Sequence, residues 1–245
     1  VDVAGEIGGF EMIAAIRYFS KDYLLSYRYF APLLVYLFAL AFVYSVMPNP
    51  VMPSYSFTTS MLFIIAAWLA FGYIDLEHET QQMITSLHLP GLRSYYICKT
   101  VPLLILNVFL SIIYVVYPIV FDKFDRSPET GEVMISFLCH VAVSLMGMCG
   151  GFLFTKKYFP KWYTALGGLL GFIVISFASK GIIHAVAPAL RFIEWLLPPL
   201  YRTMDMLNNF DSSKTVDIIL AVVMPIVYAI LLYGLFFMGM IRRRF

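Results

Sequence analysis

Of the 245 residues, 61% are hydrophobic and 13% charged, with a net charge of +2. A water-soluble core of this length does not need so much apolar material, so the chain belongs with membrane proteins. The small net charge offers little to nucleic acid, and Cys98, Cys139 and Cys149 sit in or beside apolar runs without CxxC spacing, which argues against a disulfide framework or a zinc site.

The opening VDVAGEIGG lacks the basic region and apolar core of a secretory signal. The chain begins on Val1 rather than Met, which leaves room for a start upstream. From Phe10 to Arg28 the charges Glu11, Arg17, Lys21, Asp22 and Arg28 fall within an arc of about 140° on a helical wheel. The other arc carries Met12, Ile13, Ile16, Phe19, Tyr23 and Leu24. The pattern predicts a helix over 10–28 lying flat in the membrane interface, unless it packs on a cytosolic domain outside this chain.

Two apolar runs follow, 29–47 and 55–74, each with about the 20 residues a helix needs to cross a bilayer. Their connection, MPNPVMP, is uncharged. Next comes a polar stretch, Asp75 to Lys99. Over 75–89 it reads as an amphipathic helix, with Leu76, Thr80, Met83, Ile84 and Leu87 on one side and Asp75, His78, Glu79, Gln82, Thr85 and Ser86 on the other. Pro90-Gly91 ends it. Two readings fit: a helix that docks a soluble partner, and a loop helix lying on the lipid surface.

Four more spans are predicted at 95–121, 133–155, 162–183 and 216–241, with Pro102, Pro118 and Pro225 inside them or near their ends. Polar groups within spans are functional candidates by default. Lys180, His184 and Asp217 lie near outer ends, while Asn107 and His140 are deep. Helix–helix hydrogen bonding is the simplest task for the last two. Gly147 and Gly151 form one GxxxG pair and Gly167 and Gly171 another, which brings helices close either within the bundle or at a subunit or gate interface. Between the last two spans, 184–215 is too polar for a span and too apolar for a plain loop. Phe192 and Trp195 with the Pro198-Pro199 break suggest either a re-entrant segment closing an outer vestibule or an interfacial anchor.

With the N-terminus in the cytoplasm, eleven Lys and Arg fall inside and five outside, with Lys180 within the fifth span. The polar 75–99 stretch is then cytoplasmic, and both termini lie inside. Catalytic motifs are missing from the pattern. His78-Glu79-Thr80-Gln81-Gln82 begins like a zinc helix but has Gln82 where the second His belongs, and His88 does not repair it. There is no GxxxxGK[ST] phosphate loop, no GxSxG and no strand-borne GxGxxG.

The layout resembles the permeases of ABC-2 type exporters: a flat helix, six spans, a charged helix after span two and a broken outer segment before span six. The motif-level likeness covers about 25 residues and rests on Glu77, Glu79, Thr80, Leu87, Pro90, Arg93, Tyr96 and Lys99. It implies that Asp75, Glu77, His78, Glu79, Thr80, Gln82, Met83 and Leu87 belong to a coupling helix seated in a separate ATPase subunit. It further implies two permease and two ATPase chains, with ATP and Mg bound by the partner and no cofactor here. The expectation is therefore an all-α, polytopic permease of a bacterial cytoplasmic membrane, not itself an enzyme. Short outer loops resemble the small peptide-toxin exporters; lipid-linked glycan and drug exporters stay open. A secondary transporter, a membrane enzyme and a membrane scaffold are the alternatives from other classes.

Overall fold

In a computed structural model of the chain, residues 3–185 and 197–242 are described. They form nine α-helices and one short turn, with no strand among the described residues. In chain order the helices are α1 (Val3–Ser26), α2 (Phe30–Val43), α3 (Val51–Ile74), α4 (Glu79–Leu87), α5 (Leu92–Val120), α6 (Thr130–Phe152), α7 (Trp162–Ala185), α8 (Leu200–Asn208) and α9 (Thr215–Arg242). A 3-10 turn at Phe210–Ser212 separates the last two. Five of them, α3, α5, α6, α7 and α9, are long and apolar enough to cross a membrane, and a sixth crossing is counted if α1 and α2 make one bent span.

That bent pair differs in detail from the sequence expectation. The axes of α1 and α2 meet at 77°, with Tyr27 in the left-handed region (φ 56°) between them. The apolar run at 29–47 yields only 14 helical residues, about 21 Å at 1.5 Å per residue. The hydrocarbon is about 30 Å thick, so α2 alone does not reach across it. The run ends early because residues 44–50, with Pro48 and Pro50, leave the helix for a turn. Asn49 in that turn exchanges backbone hydrogen bonds with the α5–α6 connection, its N–H donating to the Lys123 carbonyl (3.1 Å) and its carbonyl accepting from Asp125 (2.9 Å). Helix α3 starts at Val51, one turn before the predicted Tyr55, on an extended Pro50.

Helix α3 is the centre of the bundle, with α6 along one side and α2, α5 and α8 around it. The close approach of α6 has a direct cause. A Cβ at Gly147 would lie 2.4 Å from the Phe63 carbonyl oxygen, and one at Gly151 would lie 2.4 Å from that of Ala67. Only glycine lets the two backbones meet there. The first half of α3 carries a buried polar stripe, Ser54, Ser56, Thr58, Thr59 and Ser60. His140 of α6 sits against it, fully buried. Its Nδ1 lies 2.7 Å from the Ser136 carbonyl, to which it can only donate, so Nε2 accepts from the Thr58 hydroxyl at 2.9 Å. Asn107, also buried, donates to the Leu103 carbonyl on its own helix (2.9 Å). All three cysteines are buried and free.

The helix ends sort by charge. Arg28 donates to the Gly72 carbonyl (3.2 Å), and Lys99, Lys156 and Lys157 gather at the same end, beside α4. The opposite end holds the α2–α3 and α5–α6 connections and α8, whose Met204 carbonyl accepts from Ser56 (3.2 Å). Arg126 there grips Glu132 with two hydrogen bonds (2.8 and 2.5 Å). Glu132 also accepts from the Glu129 N–H (2.8 Å), closing the start of α6.

Candidate functional site

Helix α4 is shorter than the 75–89 helix expected from periodicity. It runs from Glu79 to Leu87, and residues 75–78 form an irregular link. The reason is that both acids before the helix are committed elsewhere. Asp75 accepts from the Thr155 hydroxyl (2.6 Å) and from the Lys156 backbone N–H (2.6 Å), which ties the end of α3 to the α6–α7 connection. Glu77 turns inward from the bend that precedes an extended His78, so it lies outside the helix. The first helical bond is Gln82 N–H to the His78 carbonyl (2.9 Å). At the other end Gly91 has φ 126°, a conformation that favours glycine and lets the chain reverse into α5.

Glu77 is the anchor. Its Oε2 accepts from Lys99 Nζ at 2.8 Å and from the Tyr95 hydroxyl, and Lys99 also bonds Tyr95 (3.0 Å). The Lys99 and Glu77 side chains are 2% and 1% exposed. Phe19 of α1 packs edge-on to Tyr95, with Lys99 Nζ 5.9 Å from the Phe19 ring centre. The Thr85 hydroxyl reaches Glu77 Oε1 (3.3 Å), and the Gln82 amide donates to the Glu77 carbonyl (3.1 Å). Gln81 bonds the Tyr18 hydroxyl of α1, and Tyr73 at the end of α3 donates to the Lys99 carbonyl (2.7 Å). Helices α1, α3, α4 and α5 thus converge on one buried ion pair. Lys157 is close by, its amine pushed below the ordinary lysine range by burial and then by the charge of Lys99.

The outward side of α4 is the apolar one. Met83, Ile84 and Leu87 are 41, 54 and 84% exposed, and His78, Glu79 and Thr80 are exposed beside them. Gln82 is buried. The helix is therefore braced on its polar side and presents its apolar side. A cleft of about 400 Å³ between α1 and α4, lined by Glu11, Ala14, Tyr18, Ile84 and His88, continues this surface.

The two glycine pairs separate. Gly147 and Gly151 serve packing within the chain, not an outer interface. A Cβ at Gly167 or Gly171 would meet nothing within 4 Å, so these two remain on an open face of α7. In the outer segment Pro198 and Pro199 are buried at the start of α8, while Phe192 and Trp195 lie outside the described residues. Tyr95 and Thr155 were not singled out from sequence, and Lys99, one of the residues that carry the resemblance, was not paired there with Glu77. The readable signal was Tyr95-x-x-x-Lys99, a lysine one turn inside an apolar helix, which demands an acid nearby. Among the described residues no three His, Cys, Asp or Glu side chains group closely enough to hold a metal. No protein family, curated protein or solved structure matches this chain.

Proposed function

We propose that this membrane protein is the permease subunit of an ATP-driven exporter, coupled through α4 to a separate ATPase. The observation that carries the reading is the mounting of α4. A helix that transmits a push must be fixed to the spans behind it and free in front. The Glu77–Lys99–Tyr95 cluster and the Asp75 bonds fix it to α3, α5 and the α6–α7 connection. Met83, Ile84 and Leu87 are free in front. Motion of an ATPase in which α4 is seated would displace α3 and α5 together and shift the bundle between two states. Lys and Arg bias puts that end in the cytoplasm. A second copy of the chain would complete the pathway, with the open α7 face as its contact. The cargo class that suits an apolar bundle with short outer connections is a hydrophobic or amphipathic molecule, a peptide before a lipid-linked glycan or a drug.

The test is purification of the chain from its native membrane and reconstitution with whatever ATPase accompanies it. The chain alone hydrolyses no ATP, and the pair hydrolyses it in a cargo-dependent, vanadate-sensitive manner. Transport that persists without ATP and collapses with a protonophore would replace this reading by an ion-coupled carrier. The buried His140 and its serine–threonine stripe are what favour that second reading.

A further inference from the structure

Helices α5, α6 and α9 enclose a second feature, a groove of about 350 Å³. Ile97, Val101 and Leu104 of α5 and Ile226 and Ile230 of α9 form its walls, over a floor that includes Met148 of α6. Met148 is buried, but Ile97, Leu104 and Ile230 are 43, 40 and 65% exposed, so the groove opens outward along the bundle surface. Thr100 and Tyr233 lie among these side chains with their hydroxyls 3.4 Å apart. Both walls belong to membrane-length helices, so what surrounds the groove is bilayer.

One end of the groove is basic. Positions 93, 97, 100, 101 and 104 share one face of α5 by helical spacing. Arg93 is exposed in the first turn, at the end of the bundle that carries Lys99, Lys156 and Lys157. Side chains on a helix lean toward its N-terminus, so the guanidinium projects beyond the groove, toward headgroup level. From Ile97 to Leu104 the wall rises about 10 Å, and Arg93 stands about 6 Å further on.

A cation at headgroup level with an apolar trough running inward from it is complementary to one kind of molecule. We propose that the groove binds one anionic phospholipid from the leaflet facing α4, with its phosphate on Arg93 and an acyl chain between α5 and α9. The basic end of the bundle and the negative surface of a cytoplasmic leaflet match in sign. The site is separate from α4 and does not depend on the exporter reading.

Native mass spectrometry of the full chain in neutral detergent tests this with dioleoyl phosphatidylglycerol and dioleoyl phosphatidylcholine as probes. One phosphatidylglycerol is retained about fivefold better than phosphatidylcholine, the preference expected of one basic side chain at an anionic headgroup. Arg93→Gln removes the preference, whereas Arg17→Gln, which removes a cation on α1, leaves it. Val101→Trp fills the trough and lowers retention of both lipids. Glycerol phosphate, the headgroup without chains, does not compete. Equal retention of the two lipids, equal loss in Arg17→Gln, unchanged binding in Val101→Trp, or competition by glycerol phosphate would each overturn the proposal. So would shielding of Ile230→Cys from a maleimide in a dimer but not in a monomer, which would assign the groove to a second copy.

Discussion

Replacing Lys99 by Met removes the cation and keeps the stem, and the buried Glu77 carboxyl loses its ion-pair partner. The two side chains are 2% and 1% exposed and 2.8 Å apart. Breaking a buried pair from one side costs about 3–5 kcal/mol, because the remaining charge is unpaired. Tyr95 and Thr85 still bond the carboxylate, which places Lys99→Met toward the lower end of that range. In a chain of this size 1 kcal/mol moves the melting temperature by about 2–4 °C, so the single variant should melt roughly 6–12 °C below the parent. Glu77→Gln strands the ammonium in turn and should cost a similar amount. The double variant replaces the pair by a Met and an amide that still accepts from Tyr95, and it should recover most of the loss. The assay is a thermal scan of detergent-solubilised protein for all four species, read as a double-mutant cycle. If Lys99→Met melts within about 2 °C of the parent, or if the double variant falls by the sum of the singles, the cluster is solvated and does not anchor α4. From sequence alone the charges of the 75–89 region read as exposed, and loss of any one as mild. Burial of Glu77 reverses that expectation for this residue.

Met83→Glu combined with Glu79→Lys changes only exposed positions on α4, so the protein should melt like the parent while binding of the ATPase proposed to dock there falls about tenfold or more. A pull-down titration measures this, and unchanged binding would make α4 an ordinary surface helix. Gly151→Leu places a Cβ 2.4 Å from the Ala67 carbonyl and 2.8 Å from the Ala70 Cβ. Helices α3 and α6 must part, at about 1–3 kcal/mol or more, which a lowered melting temperature reports. Gly167→Leu with Gly171→Leu meets open space, so the monomer should melt normally while cross-linking between copies weakens. Undiminished cross-linking would give this face to lipid.

How much of this was readable from sequence depends on the length scale of the cause. Long apolar runs announce spans because the bilayer demands about 20 apolar residues whatever the neighbours do, and α3, α5, α6, α7 and α9 lie where those runs are. Ends were read less well. Val51 to Ser54 looked like loop because of Pro53, yet proline fits a first turn, and α3 begins there. Glu129-x-x-Glu132 marked the start of α6 in a form that sequence reading can use. The site was only half legible. The polarity of 75–99 located it, but which face of α4 turned inward did not follow from amphipathicity. In a membrane protein the polar side can be the one fixed to the bundle, when a Lys99 some 22 residues away requires an acid. The two GxxxG pairs make the same point. Identical spacing gave a buried contact at Gly147 and Gly151 and an open face at Gly167 and Gly171, because only the tertiary neighbour decides.

The shortness of α2 has an effect on the membrane itself. Its helical part covers about 21 Å, and the rest of the way is travelled by turn residues 44–50. Backbone groups in a turn have no helical ladder, and lipid tails cannot bond them. Asn49 settles three of its own accounts, through Lys123, Asp125 and a side-chain bond to the Val46 carbonyl (2.6 Å). Met47 beside it is exposed and makes no backbone hydrogen bond of this kind. Headgroups and water must therefore dip toward this loop, thinning the bilayer at one flank of the protein. A polar group crossing the membrane beside α2 would have about a third less hydrocarbon to pass than the full thickness of the bilayer.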